Sequence, residues 1–110
     1  MKGSYIGELE ELILLTVGIL YHEAYGVAIR EELKNQTGRD INISAIHAVL
    51  KRLEDKGFLN SSMGGATSER GGRRKRMFNL TDAGKRVLTQ SVEQRNRMFH
   101  TIPEFAWKMA

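Results

Sequence analysis

Apolar residues recur along this chain at helical spacing in four stretches and at strand spacing in two. From Glu8 to Tyr21, Leu9, Leu12, Ile13, Thr16, Ile19 and Leu20 return every three or four residues, which predicts a first helix with one apolar face. Its Glu-rich first turn suits the positive end of the helix dipole. Ala24 to Thr37 predicts a second helix, with Tyr25, Ala28, Ile29 and Leu33 inward and Arg30, Glu31 and Lys34 outward. Gly38 is placed to stop it. Gly26, near its start, weakens helix propensity, and a close contact with a neighbouring helix would account for it. Ile41 and Ile43 alternate with polar residues, so a brief strand over 40–43 is expected.

Ser44 is positioned as the N-cap of a third helix that runs to Lys56 and closes at Gly57. Ile46, Val49, Leu50 and Leu53 fall within one arc about 100° wide. The opposite arc carries Ser44, Ala48, Lys51 and Asp55, flanked by His47 and Arg52. Phe58 to Met63 and Lys75 to Leu80 then alternate as two antiparallel strands around a loop over 64–74. Thr81 caps a fourth helix. Along it, Leu88, Val92, Arg95, Phe99 and Ile102 follow at four-three-four-three spacing, the seam of a helix packed on a helix. Pro103 ends or kinks that helix. Phe105, Trp107 and Met109 lie beyond.

Three helices followed by a hairpin is the winged helix-turn-helix order. The fold class expected is mainly α with a small β-hairpin: a winged helix-turn-helix over 1–80 plus a C-terminal helix and tail over 81–110. In that arrangement the third helix enters the major groove. Small residues at its tip (Ser44, Ala45, Ala48) permit close approach, and His47, Lys51 and Arg52 reach bases or phosphates.

Charge supports a polyanionic partner. Residues 41–80 hold eight Lys or Arg against three Asp or Glu, whereas residues 1–40 hold four against seven. The excess concentrates in Arg70-Gly71-Gly72-Arg73-Arg74-Lys75-Arg76, five cations in seven residues, directly before the alternation of Phe78 and Leu80. A hairpin tip that lays Arg70, Arg73, Arg74 and Lys75 along a phosphate backbone fits this pattern. At 110 residues the chain suits one domain. The sequence contains no cysteine, which removes disulfides and thiolate metal sites. His22, His47 and His100 fall on different elements, and no metal or cofactor is expected. The run Leu12–Tyr21 is too short to span a bilayer, and no targeting segment is visible. A cytoplasmic, nucleoid-associated address is the expectation. Ser44 and His47 lie one turn apart, but no third group or oxyanion donor accompanies them, so no enzymatic activity is expected.

The sequence also resembles the PadR-type transcriptional regulators over residues 5 to about 85. The resemblance rests on Gly7-Glu8-Leu9-Glu10, on Glu23-Ala24-Tyr25-Gly26-Val27-Ala28-Ile29, on the segment from Ser44 to Leu59, and on the segment from Gly71 to Gly84. His47 and Met77 each stand where that family usually has Tyr. The resemblance implies a bacterial or archaeal repressor that binds an inverted-repeat DNA operator as a homodimer. It also implies dimerisation through the C-terminal helix, often with the first helix, and in some members release by a small-molecule effector. Leu9, Ile13, Leu88, Val92, Arg95, Phe99, Ile102, Phe105 and Trp107 are the candidate dimer interface, since so apolar a C-terminal helix calls for a partner. The alternative is a winged-helix protein-interaction module without sequence-specific DNA binding, because fold does not fix function.

Overall fold

A computed structural model describes residues 5–64 and 75–108. Along the chain come α1 (Glu8–Ile19), α2 (Gly26–Thr37), α3 (Ile43–Asp55), β1 (Leu59–Met63), β2 (Arg76–Leu80), α4 (Asp82–Thr101) and α5 (Glu104–Lys108). β1 and β2 form a two-stranded antiparallel sheet in which Leu59 faces Leu80 and Met63 faces Arg76. The winged helix-turn-helix order read from the sequence is thus the observed one. The loop cations Arg70, Arg73 and Arg74 lie outside the described residues.

The apolar stripes of α1, α2 and α3 converge on one core. Ile13, Leu14, Ile29, Leu33, Ile46, Leu50 and Leu53 are almost fully enclosed there, and Phe58, Leu59, Phe78 and Val87 close it from the hairpin and from α4. The helix ends follow local chemistry. Gly38 at φ 77° and Gly57 at φ 84° take the left-handed conformation that terminates α2 and α3. Thr81 caps α4, its hydroxyl accepting from the Gly84 N–H at 3.0 Å while donating to the Gly57 carbonyl at 2.6 Å. Pro103 separates α4 from α5, as its missing N–H requires.

Three expectations are corrected. No strand forms over 40–43: Ile41 packs as a half-buried residue against the core, and Ile43 begins α3. An isolated alternation without a pairing partner gains no ladder bonds. The N-cap of α3 is Asn42, whose Oδ1 accepts from the Ala45 N–H at 2.9 Å, and not Ser44. α2 starts at Gly26 and not at Ala24: Tyr25, in extended backbone, precedes the helix, and the Ala24 carbonyl accepts from the Phe78 N–H of β2 at 2.9 Å.

Two neighbouring carboxylates on α1 tie the helices together. Glu10 and Glu11 are each only 5% exposed. Glu10 accepts from Lys56 Nζ at 2.8 Å and Arg52 Nε at 3.1 Å on the α3 side, and from the Gly7 N–H at 2.8 Å. Glu11 accepts from the Ser91 hydroxyl at 2.6 Å and from the Arg95 guanidinium on α4. Burial pushes the Glu10 carboxyl up, but the donors Lys56, Gly7 and Arg52 together outweigh it and hold the group below its ordinary value.

Two predictions follow from this packing. An ideal Cβ on Gly84 would sit 2.0 Å from the Phe58 carbonyl oxygen, a backbone atom that cannot swing away. Gly84→Ala should therefore cost about 2 kcal/mol or more by overpacking. Gly38→Ala, with nothing within 4 Å, pays only backbone strain of about 1 kcal/mol. Chemical denaturation of both variants checks the order. For Glu10 the lowered carboxyl means that the ionised group stabilises the fold above its unfolded value of about 4.5, and that this contribution disappears as pH falls through the folded value. Glu10→Gln should be less stable than wild type by about 2 kcal/mol at neutral pH. Urea titrations at descending pH should show that gap closing below about 4.5.

Candidate nucleic-acid interface

The outer face of α3 begins immediately after its cap. With the Asn42 side chain accepting from the Ala45 N–H, Ser44 is left exposed in the first turn and Ala45 half-buried beside it. His47, Ala48 and Lys51 follow as exposed residues on the same side. Lys51 projects with 80% of its side chain in solvent, and its i,i+4 neighbour Asp55 lies 3.8 Å away, a surface pair that restrains it little. The tip of α3 therefore presents short side chains first and a mobile cation one turn later.

Arg52 differs from Lys51. Its Nε donates to buried Glu10, so the guanidinium is held toward α1. The sequence grouped Arg52 with the groove-facing residues; the structure places it as a tie between α3 and the core.

Gly26 has the neighbour its position anticipated. A Cβ there would meet His47 Cε1 at 2.7 Å and Nε2 at 3.0 Å. The imidazole thus lies against the first turn of α2, and only a residue without a side chain leaves it that room. The contact comes from a side chain of α3 rather than from its backbone.

The hairpin root is pinned at three points. The Phe78 N–H donates to the Ala24 carbonyl just before α2. Lys75 Nζ stands 4.0 Å from the Tyr25 ring centroid, a cation–π contact that fixes where the basic loop leaves the fold. The Arg76 guanidinium donates to Ser61 Oγ at 2.9 Å, and Ser61 in turn donates to Glu54 of α3 at 2.7 Å. This chain of bonds joins α3, β1 and β2. Between α3 and β2 it leaves a cleft of about 290 Å³ lined by His47, Lys51, Glu54, Arg76 and Phe78. Glu54, Ser61 and Arg76 were not among the site residues read from the sequence. The pairing of Ser61 with Phe78 could have shown Ser61 and Arg76 to be diagonal neighbours.

The candidate dimer residues divide. Ile13 is completely enclosed in the protomer core and offers no surface, so it cannot line an interface directly. The apolar stripe of α1 to which Ile13 belongs is spent on the core. Leu9 and Leu88 are half-buried against the same core, and Val92 is half-buried on α4. Arg95 is engaged by Glu11 within the protomer. Phe99, Ile102, Phe105 and Trp107 are exposed, and the Phe99 and Trp107 rings lie 5.6 Å apart across the α4–α5 junction.

The sequence model of the PadR-like family of transcriptional regulators matches residues 14–90. Among solved structures, Bacillus subtilis PadR in complex with operator DNA is 30% identical with a TM-score of 0.62, over 77% of this chain and 46% of that one. This chain therefore spans less than half of that protein. A PadR family transcriptional regulator from Eggerthella lenta is 27% identical with a TM-score of 0.65, covering 86% of this chain and 82% of that chain. A PadR-like transcription factor from Bacteroides fragilis, 22% identical with a TM-score of 0.68 over 86% and 85% of the two chains, shares the fold. No curated protein matches. The matched span ends at residue 90, before Arg95, Phe99, Ile102, Phe105 and Trp107.

The different settings of Lys51 and Arg52 are separable by experiment. Arg52→Ala should lower stability by about 1 kcal/mol, because a buried carboxylate loses a donor. Lys51→Ala should stay within about 0.5 kcal/mol of wild type. Equal denaturation midpoints for the two variants would contradict the assignment.

Proposed function

Because the chain belongs to the PadR-like family of transcriptional regulators, we propose that it acts as a homodimeric repressor that reads an inverted-repeat operator. The observation that carries this reading is the pairing, on one side of the fold, of the short-chained tip of α3 with the anchored root of a basic hairpin. Ser44, Ala45 and Ala48 meet the major groove, His47 and Lys51 reach bases or phosphates beside it, and Lys75 with the loop cations Arg70, Arg73 and Arg74 supplies sequence-independent affinity for phosphates. Arg52 acts by holding α3 in place.

Residues 1–80 carry DNA binding in this scheme, and residues 81–110 carry self-association. Support for the second part comes from α4. Every residue from Glu93 to Thr101 is exposed, although Phe99 is large and apolar. Phe105 at 63% and Trp107 at 57% exposure continue the surface into α5. So much clustered aromatic area is costly to leave in water, and a second copy packed along α4 would cover it. A two-fold axis there sets the paired α3 helices about one DNA turn, roughly 34 Å, or a multiple of it apart. Release by a small-molecule effector belongs to the same proposal, with Phe99 and Trp107 as the aromatic surface it would engage.

An operator selected from a random duplex pool tests the scheme. The wild-type protein should bind it as two protomers per duplex. Ala48→Glu sets a carboxylate against the groove and should weaken binding by at least about 100-fold. Its exposed position should leave thermal stability within about 0.5 kcal/mol of wild type. Full affinity in Ala48→Glu would move the reading surface elsewhere, and a single protomer per duplex would remove the dimer.

A further inference from the structure

Resting on the DNA-binding reading above, we infer that the cleft between α3 and β2 is a clamp for one DNA backbone phosphate, in which His47 serves as a proton-dependent donor. The cleft has a cation from each side, solvent-exposed Lys51 from α3 and Ser61-bonded Arg76 from β2, and Phe78 also lines it. Its one lining carboxylate, Glu54, accepts from the Ser61 hydroxyl, and Ser61 accepts from Arg76. That relay keeps the arginine at the cleft with one nitrogen engaged. A guanidinium carries five N–H donors, so a planar fork still has others to offer a phosphate.

His47 completes the lining, its ring lying against Gly26. A neutral imidazole has one N–H donor, whereas a protonated one has two donors and a charge. The charged groups facing it are Lys51 and Glu54 from α3 and Arg76 from β2. α2 contributes the Gly26 backbone, next to Tyr25 under Lys75. Lys51 and Arg76 oppose a further positive charge at this place, and Glu54 favours it. A seated phosphodiester, which keeps its single negative charge throughout the relevant range, turns the balance toward the protonated ring. Phosphate binding and proton uptake are thereby coupled, so affinity for duplex rises on mild acidification. The relevant ligand chemistry is the phosphate diester of duplex DNA, and the effect does not depend on base sequence.

The test is fluorescence anisotropy of the full chain on a labelled duplex, between about pH 8 and pH 5.5, across about 50 to 200 mM salt. Wild type should gain about tenfold in affinity on acidification, and the slope of log affinity against log salt should steepen by about 0.9, one phosphate contact. His47→Gln, whatever its affinity at pH 8, should gain no more than about twofold and keep a constant slope. Gly26→Ala, which displaces the ring while a thermal melt verifies folding, should lose the gain in the same way. His100→Gln, on α4, should retain it. An undiminished gain in His47→Gln, or a wild-type affinity that ignores pH, overturns the clamp and leaves the DNA-binding reading standing. Failure of the wild type to bind duplex at any pH overturns both.

Discussion

The fold depends on where α1 spends two negative charges. Glu10 and Glu11 are consecutive, nearly enclosed, and bonded in different directions, one to α3 and the other to α4. Enclosing a carboxylate is expensive unless donors surround it, and removing a donor leaves the cost unbalanced. Lys56 and Arg52 can meet Glu10 only if α3 lies at one angle across α1. Ser91 and Arg95 can meet Glu11 only if α4 descends along the other side. Apolar burial brings these helices together without direction; the paired carboxylates supply the direction. The helix that faces the groove and the helix that carries the exposed aromatic surface are thus both referred to α1.

The hairpin is secured by different means. A two-stranded sheet is marginal alone. Here Phe78 lends its ring to the core and its N–H to Ala24, while Thr81 and Gly84 clamp the exit of β2 against Gly57 and Phe58. The close approach at Gly84 lets α4 begin directly on the Phe58 carbonyl, with no intervening loop. The strands can therefore carry a strongly basic loop, whose charges repel one another, without separating from the core.

Much of this was legible in the sequence. The three-and-four spacing of apolar residues gave four helices, Gly38, Gly57 and Thr81 gave their ends, and period-two alternation gave both strands. Apart from the cap of α3, the features that spacing does not reveal depend on partners distant in sequence. Asn42 and Ser44 both have capping side chains, and the helical backbone of Ile43 makes Asn42 the cap. Arg52 and Lys51 look alike on a helical wheel; a buried acceptor 42 positions earlier, Glu10, separates them. Ile13 and Leu9 share an apolar stripe, but only the three-dimensional core decides that one is fully covered and the other half-covered. The Glu54–Ser61–Arg76 relay joins three elements, and while strand pairing places Ser61 diagonal to Arg76, no spacing rule brings in Glu54.

The displaced cap of α3 has one more consequence. Since Asn42 lies before the helix and satisfies its leading amide, Ser44 and Ala48 bear no duty in folding. Substitutions there change what the surface offers to a binding partner while leaving the scaffold intact. A lineage carrying this architecture can drift toward new target sites at little thermodynamic risk, because foldability and selectivity are encoded by different letters.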